Sequence, residues 1–75
     1  MSSGYYEFPS GRIEWVRYGK LHRPDGPAVY YPPGKGQNEY YLNGKEVSIK
    51  KLLQRCKGDL DKELEIWKNS DYRVA

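Results

Sequence analysis

The feature that most constrains this chain is that it repeats itself. Residues 6–20 are echoed, imperfectly, by residues 30–45. Phe8-Pro9-Ser10-Gly11 corresponds to Tyr31-Pro32-Pro33-Gly34. After two extra residues in the second copy, Glu14-Trp15-Val16-Arg17-Tyr18-Gly19-Lys20 corresponds to Glu39-Tyr40-Tyr41-Leu42-Asn43-Gly44-Lys45. An echo at a spacing of about two dozen residues marks a repeated supersecondary unit. It sets the architecture of more than half the chain and names no reaction.

Within each copy the residues suit strands and tight turns. Residues 4–9 and 12–18 are rich in tyrosine, tryptophan, isoleucine and valine, which favour the pleated, half-buried surface of a sheet. Pro9-Ser10-Gly11 sits between them as a loop, because proline presets one turn angle and glycine tolerates positive φ. Gly19-Lys20 turns the chain out of the second strand, Leu21-His22 pairs briefly, and Pro24-Asp25-Gly26 turns it again. Further strands are expected over 27–31, 37–42 and 45–47. Asn43-Gly44 gives the strongest hairpin signal, a type I′ turn.

At Ser48 the apolar period changes from two to that of a helix. Ser48 is expected to cap a helix over 48–57 whose stripe is Ile49, Leu52, Leu53 and Cys56. Gly58 stands where that helix would end in the left-handed conformation. Asp59 should cap a second helix, with Leu60, Leu64 and Trp67 as its packing stripe and Ile66 off it. The tail from Asn69 has little to hold it. The chain thus reads as one α+β domain over 1–75. Hairpin repeats form an antiparallel β-meander of four to five strands at 4–47. Two short C-terminal helices at 48–69 pack on the sheet, and 70–75 is a tail.

A chain of 75 residues has a small core, which usually needs a disulfide, a metal or a partner subunit. Cys56 is the only cysteine and His22 the only histidine, so neither an intrachain disulfide nor a zinc cluster is expected. What remains is ring area: eight tyrosines, two tryptophans and one phenylalanine. A homodimer is the other available support. The start of the chain lacks a basic region followed by an apolar run, and no apolar stretch would span a bilayer. A cytoplasmic location is expected. Charge is uneven: residues 1–57 hold ten Lys/Arg against five Asp/Glu, and residues 58–75 hold three against five. That pattern reads either as a solvated surface or as a basic face for an acidic partner or nucleic acid.

The phrase Gly19-Lys20-Leu21-His22-Arg23-Pro24-Asp25-Gly26-Pro27-Ala28, followed by Tyr40-Tyr41-Leu42-Asn43-Gly44-Lys45, resembles the MORN-like repeats that run roughly W-x-x-N-G-x-L-H-R-x-D-G-P-A. The likeness spans about residues 11–46. It implies β-hairpin units that stack on their neighbours, with a scaffolding or binding role rather than catalysis. Tyr18 stands where the repeat often has Asn, and there are two units at most, so the helices would close the array. Small proteins of this kind resemble accessory proteins of phages and mobile elements, which implies capture or inhibition of a host or defence protein.

His22, Arg23 and Asp25 form the one compact polar cluster. A general base held by Asp25 would need a nucleophile, and none is marked nearby. The structural alternative is a turn in which Asp25 and Arg23 pair and His22 packs at a strand end. Cys56 lies on an apolar stripe and reads as a buried thiol. Gly34-Lys35-Gly36 lacks the spacing of a phosphate-binding loop. The tyrosines alternate into two sets, Tyr5, Tyr30 and Tyr40 against Tyr6, Tyr31 and Tyr41, of which one should face the helices. The expected function is a non-enzymatic protein-binding module without cofactor or metal. It would act by steric occlusion through Tyr6, Arg17, Tyr18, Arg23, Tyr31, Lys35 and Tyr41. Single-stranded nucleic acid on the basic, aromatic sheet face is the alternative.

Overall fold

Each copy of the repeat folds into three short strands in a computed structural model that describes residues 3–70. The first copy gives β1 (Gly4–Glu7), β2 (Ile13–Arg17) and β3 (Lys20–Leu21). The second gives β4 (Val29–Tyr30), β5 (Tyr40–Leu42) and β6 (Lys45–Val47). Two helices follow, α1 (Ile49–Arg55) and α2 (Leu60–Asn69), so the α+β order of meander and then helices holds.

The copies join edge to edge. β1 pairs antiparallel with β2 over its whole length, from Gly4↔Val16 to Glu7↔Ile13. A strand has two edges, so β3 and β4 share the other edge of β2, at Val16↔Leu21 and at Ile13↔Tyr30. The first strand of the second unit is therefore laid on the middle strand of the first. The β5–β6 hairpin then continues the ribbon through a Val29–Glu39 bridge. Two more backbone bonds support it, Arg23 N–H to the Tyr41 carbonyl (3.1 Å) and Gly44 N–H to the Leu21 carbonyl (2.8 Å).

Local chemistry fixes the turns. Asn43 and Gly44 have φ of 53° and 83°, and Tyr18 and Gly19 have φ of 51° and 77°. Positive φ at both central residues of a two-residue loop is the type I′ hairpin. The wider loops of the two units stack. A Cβ built on Gly11, whose φ is +93°, would lie 2.7 Å from Pro32 Cγ.

Asp59 caps α2 as expected, its Oδ1 accepting from Lys62 N–H at 3.2 Å. Ser48 occupies the cap position of α1, yet its hydroxyl makes no cap bond. The Lys51 N–H it would have taken donates to the Ser48 carbonyl instead, at 3.0 Å. The packing face of α2 also differs from expectation. Ile66 is the buried residue, at 1% exposure, while Leu60 and Leu64 are 71% and 65% exposed. Tethers at the end of the helix explain the rotation. Tyr40 Oη–H donates to Ser70 Oγ (2.9 Å), Asn38 Nδ2 to the Ser70 carbonyl (2.9 Å) and Asn69 Nδ2 to the Asp25 carbonyl (2.8 Å). Ser70 lies one turn beyond Ile66, on the same side, so anchoring Ser70 turns Ile66 inward and the leucine stripe outward. Asn69 and Ser70 are thus held rather than loose, and the remainder of the expected tail, 71–75, lies outside the described residues. No helix among them is long and apolar enough to cross a membrane.

Candidate partner-binding site

The linker between the units builds the wall of the site. Arg23 Nε donates to Asp25 Oδ1 (3.0 Å), Nη1 reaches the Pro27 carbonyl (3.4 Å), and the guanidinium stands 3.8 Å from the centre of the Trp15 ring. A Cβ on Gly26 would lie 2.8 Å from Asn69 Cβ and 3.1 Å from Arg23 Cζ, so only glycine fits between the helix and the arginine. Pro27 and Ala28 are buried beside it. The Arg-Pro-Asp-Gly-Pro-Ala run is therefore a packing device. Arg23, expected as a partner contact, is engaged within the fold, because its ring, carboxylate and carbonyl partners take the planar guanidinium.

His22 closes the wall. Its Nδ1 accepts from Asn43 N–H at 2.9 Å, which ties the linker to the second hairpin and places the proton on Nε2. Burial, then the charges of Arg17 and Arg55, lower its pKa below the usual 6.5. The folded state thus disfavours a proton that the unfolded chain binds freely. The contribution of the neutral ring is present above the unfolded value and is lost as pH falls from there toward the folded one. The melting temperature of the wild type is expected to fall relative to that of His22→Gln as pH drops from 7 to 5. A constant difference between the two would show that the ring carries no such linkage.

Above this wall Tyr5 stacks on Trp15, with centroids 5.7 Å apart. The register Tyr5↔Trp15 sets the two rings side by side on one sheet face. Tyr18 projects from its turn at 62% exposure, with the Arg17 guanidinium 5.3 Å from its ring centre, and its N–H donates to Ser3 Oγ at 3.1 Å. These groups, with Ser3, Gly4, Val16, His22 and Pro24, line an open groove of about 490 Å³. The lining carries the charge of Arg17 and no carboxylate.

The seven residues expected as one binding set separate into groups. Arg17 and Tyr18 lie together in this groove. Tyr31 and Tyr41 hold Glu39 between them instead, Tyr31 Oη at 3.5 Å and Tyr41 Oη at 3.1 Å. That hydrogen bond, with lesser help from burial and nearby acids, raises the Tyr41 pKa above 10. Lys35 lines a second open groove with Tyr31, Glu39 and Glu46, where charge of both signs is present. Tyr6 is half-exposed on the opposite face of β1 from Tyr5. Tyr5 and Trp15 were missed as site residues because alternation alone does not say which face is left open. Tyr5 is 61% exposed, so its ring is left open on that face. Among the described residues no three His, Cys, Asp or Glu side chains group as metal ligands. Cys56 is half-buried, its thiol 3.5 Å from the Leu52 and Leu53 carbonyls.

No protein family, curated protein or solved structure matches the chain.

Proposed function

We propose that the chain is a non-enzymatic protein-binding module whose Tyr5–Trp15–Arg17–Tyr18 groove docks an acidic segment of a partner and acts by occluding it. The observation that carries this reading is Tyr18. A tyrosine at a φ of 51° costs about 1–2 kcal/mol that asparagine or glycine would largely avoid. The equivalent position of the second unit has Asn43. Strain kept at an exposed ring, beside an arginine and a stacked ring pair, fits a recognition role. Catalysis has less support: the one imidazole has its Nδ1 occupied by the Asn43 amide, and the groove lining offers no carboxylate or thiol.

Tyr18→Asn is expected to raise stability by about 1 kcal/mol, through relief of the left-handed strain, and to weaken partner binding at least about tenfold, as loss of an interface tyrosine does. Thermal denaturation of the two proteins checks the first effect, and capture from host lysate with the wild type and the variant checks the second. An acidic protein retained by the wild type and lost by Tyr18→Asn supports the reading; equal retention by both removes it.

One observation favours a second reading. Stacked rings next to an arginine also suit single-stranded nucleic acid, although Glu7 and Glu14 flank the rings on the same strands. Binding of a single-stranded oligonucleotide that weakens steeply with salt would favour it.

A further inference from the structure

We propose that α2 is a self-docking face through which two copies of this chain associate as an antiparallel, two-fold symmetric dimer. The strongest apolar stripe of the helix points away from its own core. Leu60 and Leu64 stand one turn apart at 71% and 65% exposure, and the half-buried Trp67 borders them on the side toward Ile66. Buried Ile66 and Ser70 already fix the rotation of the helix, so the leucines cannot turn inward.

Charge chooses the occupant. Asp61 and Lys68 lie two turns apart on the other side of the stripe, near opposite ends of the helix. Two copies placed antiparallel about a dyad beside Leu64 set Leu64 on the partner's Leu64. Asp61 then faces the partner's Lys68, and Lys68 faces the partner's Asp61. A parallel pair, with its dyad along the helices, places the Asp61 and Lys68 residues of the two copies on opposite flanks of the seam, so neither meets its opposite charge. The antiparallel arrangement also opposes the two helix dipoles. An isologous contact needs a patch complementary to itself, and this stripe is one. The rest of the molecule has reason to use it: among the described residues the buried hydrophobic side chains are Ala28, Val29, Leu52 and Ile66, a small core.

The contact is short. A helix of 10 residues offers less than a standard interface, so the dimer should be weak, with a dissociation constant on the order of 10–100 µM. Sedimentation of the full chain over a concentration series reads it directly. The wild type is expected to pass from monomer to dimer across that range. Leu64→Glu, at an exposed position, should leave the melting of the dilute protein unchanged. It should weaken association by about 100-fold, since the change is made twice across the dyad. Asp61→Lys should also give a monomer, and Asp61→Lys combined with Lys68→Asp should restore the dimer. Tyr18→Asn should dimerise like the wild type, which separates this face from the groove. A wild type that stays monomeric at about 1 mM, far above the expected constant, would overturn the proposal. So would a dimer that survives Leu64→Glu or fails to respond to the charge exchange.

Discussion

Gly11→Ala is expected to lower the melting temperature by about 10 °C or more, through a loss of about 2–4 kcal/mol. Two costs coincide at this position. Its φ of +93° belongs to a region that residues with a Cβ rarely adopt. The added carbon would also lie 2.7 Å from Pro32 Cγ, a ring atom with little freedom to withdraw. Pro32 begins the loop of the second unit, so the collision falls on the seam where the two repeats stack. Relief requires the loops to part, which disturbs the nearby Ile13↔Tyr30 pairing as well. Gly34, the matching glycine of the second unit, is a control. Its φ is +81°, but nothing lies within 4 Å of a Cβ built there. Gly34→Ala should therefore show the backbone cost alone. Thermal denaturation followed by circular dichroism checks the pair, and equal losses in the two variants would mean that the seam is not a close contact.

Ile66→Ala is expected to cost about 2–4 kcal/mol, whereas Leu64→Ala, measured at high dilution, should shift stability by less than about 0.5 kcal/mol. The two residues are near neighbours on one helix, and propensity changes little between them. What separates them is burial, 1% exposed against 65%. Removing Ile66 leaves a void in the core it shares with Leu52 and the linker, where the Leu52 side chain is also 1% exposed. Removing the Leu64 side chain only returns surface to water that already reaches it. Denaturant titration of both variants is the measurement. A reversal, with Leu64→Ala the more damaging, would mean that α2 is turned the other way and that the outward stripe described above does not exist.

The contrast between these residues marks how far the sequence could be read. The repeat was visible from residue order alone, as were the Asn43–Gly44 turn, the left-handed Gly58 and the Asp59 cap. Each of these depends on groups only a few bonds apart. The strand expected over 27–31 contracts to Val29–Tyr30, because Pro27 and Ala28 are drawn into the packing around Arg23 and Gly26. The fold thereby turned Arg23 from an expected partner contact into an internal brace. The Arg17–Tyr18 part of the candidate site was legible as aromatic and basic residues at a turn. Its other half was not, since Tyr5 and Trp15 meet only through the β1–β2 register.

Residue order by itself determined the duplicated strand unit, the turns that bend it and the succession of sheet and then helix, because torsional preference and capping act within a single turn of chain. The tertiary structure alone decided which side of α2 faces inward and which tyrosines are left open. The bonds that fix that rotation join Ser70 to Tyr40 and Asn69 to Asp25, pairs 30 and 44 residues apart. Periodicity weighs a leucine stripe by its hydrophobicity, and distant tethers of this kind can turn that stripe toward solvent without changing any local preference.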